Sequence, residues 1–179
     1  KDWALSEPAD AQGTITIEDD RAVVENGKIR AVITDYGKIS FFDRNGREIL
    51  KEYYRSWDYG TRDWKDLDQI TMVRASARAF RTVGGDNFEL HLRFESDERE
   101  RIYGMGQYQH PYLNLKGCCL ELEQKNTQAS VPFMVSDRGY GLLWNNPAVG
   151  QVVFSKDRTE FHAKSSKQID YWIVAGDAP

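Results

Sequence analysis

Phe88–Glu89–Leu90–His91–Leu92–Arg93–Phe94 alternates apolar and polar side chains at every step. Successive side chains of a strand point to opposite faces, so Phe88, Leu90, Leu92 and Phe94 share one face and Glu89, His91 and Arg93 the other. Just before it stands Gly84–Gly85–Asp86–Asn87, a turn signal, and before that a second strand-like run over 77–83. The unit reads as a β-hairpin with one apolar face.

The same grammar extends in both directions. Towards the N-terminus, 14–17, 21–24, 29–34, 38–42 and 48–50 are strand-like runs, with turns at Asn26–Gly27 and Arg44–Asn45–Gly46. Towards the C-terminus, 118–123, 131–135, 140–144, 151–154, 159–164 and 169–174 follow, punctuated by Asp137–Arg138–Gly139 and Asn145–Asn146–Pro147. No segment carries a helical repeat over twelve or more residues. Roughly a dozen short strands with no helix predict an all-β fold, a two-sheet antiparallel β-sandwich. The exception is 52–68, where Trp57, Tyr59 and Trp64 lie among seven charged residues between Arg55 and Asp68 and predict a long loop.

The bulk numbers fit this reading. At 179 residues with 40% hydrophobic content the chain can bury a core. Nine Tyr, eight Phe and five Trp suit strands, and their faces also suit stacking on sugar rings. Formal charge is −4 with both signs interspersed, so neither nucleic acid nor an acidic membrane is the expected partner. No run of eighteen apolar residues or signal peptide is read. Cys118 and Cys119 are adjacent and face opposite ways, which argues against a disulfide between them and leans towards a reducing, cytoplasmic setting.

Few residues offer chemistry. Glu121 and Glu123 share a strand face about 7 Å apart, a paired-carboxylate spacing, but Leu120 and Leu122 on the other face make a solvated strand surface the simpler reading. Gly104–Met105–Gly106 lacks a dinucleotide loop's third glycine and opens no helix. His91, His110 and His162 are far apart along the chain without ligand spacing, so no metal is expected, and no cofactor is implied. The polar run Glu123–Gln124–Lys125–Asn126–Thr127–Gln128 sits between apolar strands. Its amides and hydroxyls suit a polyhydroxylated ligand, and equally an ordinary polar loop. Gln107–Tyr108–Gln109–His110–Pro111–Tyr112 reads as an exposed aromatic loop or as loop packing.

Three strings resemble glycoside hydrolase family 31. Glu100–Arg101–Ile102–Tyr103–Gly104–Met105–Gly106–Gln107 is similar to the family's acidic residue followed by Tyr-Gly-x-Gly-Glu, with Gln107 where many members have Glu. Val131–Pro132–Phe133–Met134–Val135–Ser136, then 138–147 with Gly139–Tyr140–Gly141 and Asn145–Asn146–Pro147, resembles the strands ahead of the family's barrel. Ile169–Asp170–Tyr171–Trp172–Ile173–Val174–Ala175–Gly176 looks like its last sandwich strand. The match is good over 100–176, looser over 11–50 and weak over 51–75.

The resemblance implies a galactose-mutarotase-like sandwich over 1–176, with 177–179 starting a linker to a (β/α)8 barrel. It implies a parent enzyme that acts on α-glucosides or α-xylosides with retention, through an Asp nucleophile and an Asp acid/base in that barrel. No catalytic residue is therefore expected here. The domain would contribute a loop to the substrate site, with Asn126 at a position where the family often has Asp, and with Thr127, Gln128, Gln107, Tyr108 and His110 as further candidate sugar contacts. The alternatives are a stand-alone carbohydrate-binding module, or an aldose-epimerase-like enzyme needing a Glu base and a His acid that converge in the sandwich.

Overall fold

The structure, a computed structural model, describes residues 12–55 and 75–176. The tryptophan-containing part of the expected 52–68 loop and the expected linker at 177–179 lie outside the described residues. Within them every regular element is a strand. The first sheet is a meander of β1 (Thr14–Ile17), β2 (Arg21–Asn26), β3 (Ile29–Thr34), β4 (Ile39–Asp43) and β5 (Glu48–Lys51), each antiparallel to the last.

The hairpin that opened the sequence reading is β6 (Arg78–Gly84) and β7 (Asn87–Glu95). It joins β13 (Arg158–Ser166), β12 (Gly150–Phe154) and β9 (Cys119–Leu122) in the order β6-β7-β13-β12-β9. A four-stranded sheet, β14-β11-β10-β8, is built from β8 (Ile102–Gln107), β10 (Ala129–Ser136), β11 (Tyr140–Trp144) and β14 (Tyr171–Ala175). The all-β antiparallel sandwich is thus what the chain forms, its strands distributed over three hydrogen-bonded sheets.

Alternation decides which side faces inward. Leu90, Leu92 and Phe94 of β7, with Phe161 and Ala163 of β13, are fully buried, while their polar neighbours point out. They meet Ile102, Met105, Met134, Leu142 and Trp144 from the four-stranded sheet, and Phe41, Ile49 and Leu50 from the meander, in one core. Trp144 stacks on Phe161 with ring centroids 5.4 Å apart, and Tyr171 meets Phe94 edge-on at 5.6 Å.

Two carboxylates are buried in or beside this core. Glu100 accepts from the Ser136 hydroxyl at 2.5 Å, the Tyr140 hydroxyl at 2.7 Å and the Ser96 hydroxyl at 3.0 Å. Burial, then the Glu100 charge, pushes the Tyr140 hydroxyl far above its usual range, so it remains a donor. Glu52 accepts from the Ile39 N–H at 3.0 Å and from Arg78 at 3.1 Å, joining the meander to the sheet of β6 and β7. Burial raises the Glu52 carboxyl above its usual range, against the opposing pull of Arg78.

Candidate functional site

The polar run 123–128 connects β9 of the β6-β7-β13-β12-β9 sheet to β10 of the four-stranded sheet, and it closes as a tight turn. Lys125 and Gln128 face each other in an antiparallel bridge, and the Gln128 N–H donates to the Lys125 carbonyl at 3.1 Å. Asn126 and Thr127 form the exposed tip. Thr127 has φ +68°, a left-handed conformation that a β-branched residue rarely adopts. Its hydroxyl donates to the Asn126 carbonyl at 2.5 Å.

Below the tip the turn is stitched by side chains. The Gln128 amide donates to the carbonyls of Glu123 at 3.0 Å and Glu121 at 3.2 Å. The Gln124 amide donates to the Ser130 carbonyl at 2.8 Å and its oxygen accepts the Ser130 N–H at 3.1 Å, replacing a strand partner. Lys125 pairs with both Glu121 and Glu123, and this pairing holds Glu121 below its usual carboxylate range. The two glutamates are therefore tied to one ammonium on the surface. Leu120 and Leu122 anchor β9 in the core.

Gln107 and Tyr108 arrive beside this turn from β8. That strand contains Gly104, Met105 and Gly106 in succession with φ of 99°, 67° and 93°. A Cβ on Gly106 would stand 2.1 Å from the Ala129 carbonyl oxygen, and one on Gly104 2.6 Å from that of Phe133. The register with β10 shifts between Ser130 and Met134, so the strand bulges and delivers Gln107 opposite Ala129.

Of the two readings of its loop, Tyr108 takes the packed one and lies against the core. Its hydroxyl donates to the Glu121 carbonyl at 3.1 Å and lies 3.0 Å from the Ser130 hydroxyl. Burial raises its ionisation above the usual range, against the Ser130 contact. Tyr108 thereby pins β9, β8 and β10 together under the turn. His110 lies parallel to Tyr108 at 5.9 Å between centroids, and the exposed Tyr112 follows at 5.6 Å. The Tyr112 N–H donates to His110 Nδ1 at 3.2 Å, which puts the proton of the neutral ring on Nε2.

Local contacts thus tie five of the six sequence candidates to one corner: the turn residues Asn126, Thr127 and Gln128, and Gln107 and Tyr108 beside them. His110 joins through Tyr108. Their side chains divide the work. Asn126 is exposed at the tip, whereas the Gln128 amide faces inward to backbone carbonyls. Gln124 and Ser130 were not among the candidates, because nothing in their identity announces a backbone-mimicking pair across six residues.

The histidines depart from the sequence reading. His91 and His162 are directly opposite on β7 and β13 and stack with centroids 4.6 Å apart. Glu89 Oε1 is 2.9 Å from His162 Nε2. His91 Nδ1 is 2.8 Å from Glu160 Oε1.

Known proteins resolve the identity of this fold. Residues 1–152 match the glycosyl hydrolase 31 N-terminal galactose mutarotase-like domain. The chain belongs to that family. Over 178 residues it is 39% identical to an uncharacterized family 31 glucosidase of Pseudescherichia vulneris, covering 98% of this chain and 34% of that protein. The crystal structure of a family 31 α-xylosidase from a soil metagenome, complexed with xylose, superposes with a TM-score of 0.90 at 44% identity, over 99% of this chain and 26% of that one. An Aspergillus niger xylosidase gives 0.73 at 27% identity, over 89% of this chain and 21% of that one. The domain therefore spans about a third or less of the length of these relatives.

Proposed function

We propose that this domain is the N-terminal sandwich of a retaining α-glycosidase acting on α-xylosides, and that the 125–128 turn reaches the mouth of a (β/α)8 barrel that carries the catalytic carboxylates. The α-xyloside assignment is supported by the xylosidases at 44% and 27% identity. A domain that touches substrate without performing chemistry needs a rigid mount and a free polar tip. One observation carries the reading: Gln124, Gln128, Lys125 and Tyr108 immobilise the base of the turn, while Asn126 stays exposed. Preorganisation of this kind limits the entropy lost when the tip meets a sugar.

Asn126 is neutral and offers both a donor and an acceptor to hydroxyls, each bond contributing about 0.5–1.5 kcal/mol. In the intact enzyme Asn126→Ala lowers kcat/KM by roughly tenfold on an α-xylosyl disaccharide. It leaves an aryl α-xyloside nearly unaffected, because the aryl leaving group makes no such bonds, and the Tm stays near wild type. Equal losses on both substrates, or a lower Tm, would show that Asn126 supports structure. Faster turnover of the matching α-glucosides would move the substrate assignment.

The epimerase alternative finds support in one contact, the 2.9 Å approach of Glu89 to His162. Both glutamates of that cluster are also engaged by arginines, Glu89 by Arg81 and Glu160 by Arg93 and Arg158. Polarimetry of freshly dissolved α-xylose and α-glucose separates the readings, since only an epimerase site accelerates mutarotation.

A further inference from the structure

The outward face of the β6-β7-β13-β12-β9 sheet gathers metal-ligating side chains that lie 73 positions apart in sequence. Glu89 and His91 are two apart on β7, so they share a face, and His162 is the register partner of His91 on β13. One ligand atom from each lies within 4.8 Å of the others. Glu89 Oε1 is 2.9 Å from His162 Nε2 and 3.7 Å from His91 Nε2. Ligands about 2.0–2.2 Å from a tetrahedral metal stand roughly 3.3 Å apart, so small rotations of these rings suffice.

We propose that Glu89 Oε1, His91 Nε2 and His162 Nε2 form a binding site for a divalent cation of the zinc class. The proposal does not depend on the reading of the 125–128 turn.

The surroundings favour these atoms as ligands. His91 Nδ1 points at Glu160 Oε1 at 2.8 Å, so the ring proton sits on Nδ1 and the Nε2 lone pair is directed at the cluster. Glu160 is fixed in turn by Arg93 at 3.1 Å and Arg158 at 3.2 Å. Arg81 engages Glu89 through Oε2, which leaves Oε1 for the cation. His162 Nε2 donates to Glu89 Oε1 at 2.9 Å, and the cation takes the place of that proton, which is released as the metal binds. The side chains of Glu89, His91, Glu160 and His162 are only 15–28% exposed, so the cation would exchange much of its water for protein. Three arginines nearby oppose a cation, and two imidazoles favour a borderline metal over calcium or magnesium.

The test uses the intact protein, stripped of metal by a chelator and titrated with zinc chloride by calorimetry. Wild type binds one more zinc equivalent than His91→Ala/His162→Ala. Glu160→Gln retains that equivalent with affinity about tenfold weaker, because it loses the anion that orients His91. Zinc raises the Tm of wild type and not of the double variant. Magnesium and calcium at the same concentration give no such heat. Should the double variant fail to fold, His162→Gln, which keeps polarity and approximate size, takes its place with at least tenfold weaker binding. Equal zinc stoichiometry and affinity in wild type and the histidine variants, or equal response to magnesium, overturns the site.

Discussion

The two outward faces of the sandwich differ in how completely they satisfy themselves. On the β7–β13 side, Arg81, Glu89, His91, Arg93, Arg158, Glu160 and His162 form a continuous lattice of ion pairs and hydrogen bonds. On the four-stranded sheet, Val131, Phe133 and Val135 of β10 and Trp172 and Val174 of β14 stand 38–55% exposed. Register makes them one patch: Phe133 pairs with Leu143, which pairs with Trp172, and Val135 pairs with Gly141, which pairs with Val174. A Cβ on Gly141 would lie 3.0 Å from the Phe133 ring and 3.1 Å from Val174, so glycine lets those side chains close over the strand. The first face is finished as a solvent surface. The second has the character of an interface.

If charge is well tolerated on the finished face, it should be costly just beneath it. Glu52 is the test, with a fully buried side chain against a 39% exposed Arg78. Glu52→Ala costs about 3 kcal/mol, the low end for breaking a buried pair because Arg78 can rehydrate. Denaturant midpoints measure it. The pH dependence has a defined sign. The folded carboxyl holds its proton above the ordinary value of 4.5, where the unfolded chain has released it. The native state then binds more protons, so stability falls as pH rises from about 4.5 through the folded value. Glu52→Gln removes that slope. An unchanged slope would place the titration elsewhere.

The faces were legible in the sequence to different degrees. Alternation located β7 and its inward residues, and 14–17, 29–34 and 140–144 have the observed bounds, because period-two patterning is local. The strand β8 escaped, since Gly104, Met105 and Gly106 replace alternation by three left-handed residues. His91 and His162 looked unrelated because only the β7–β13 register joins them, and register is a property of pairing. The candidate corner was found through its residue types. The inward turn of Gln128 was not, because an amide suits a sugar and a backbone carbonyl alike.

The apolar face gives the next prediction, in the intact protein. Trp172→Lys costs about 2 kcal/mol there, through lost apolar burial and a charge placed in an interface. Lys164→Ala, on the exposed charged side, changes stability by less than about 0.5 kcal/mol. Thermal melts of both variants compare the faces directly. If Trp172→Lys is as neutral as Lys164→Ala, the patch is open to solvent in the intact protein and the reading of it as an interface is lost.

The smallest effect lies at the seam, where the chain passes from the charged-face sheet to the apolar-face sheet through the 125–128 turn. With a 3.1 Å bond from Gln128 to Lys125 and φ +68° at Thr127, the turn has the form whose second central position prefers Gly or Asn. Threonine there stores strain, and asparagine relieves it, so Thr127→Asn raises stability by about 1 kcal/mol, or a Tm rise of roughly 2–4 °C for a domain this size. Thr127→Gly gains less, because glycine also loosens the unfolded chain. Stability alone would make threonine a poor choice at this tip. The Thr127 hydroxyl bonds the Asn126 carbonyl, however, and the longer amide side chain of asparagine cannot reproduce that bond at the same reach. If the turn meets the substrate as proposed, Thr127→Asn is more stable and several-fold slower on an α-xylosyl disaccharide, with aryl α-xyloside turnover unchanged. A variant that gains stability with full disaccharide activity would mean the strain serves no purpose at the substrate, and a variant that loses stability would mean threonine is favoured here for folding.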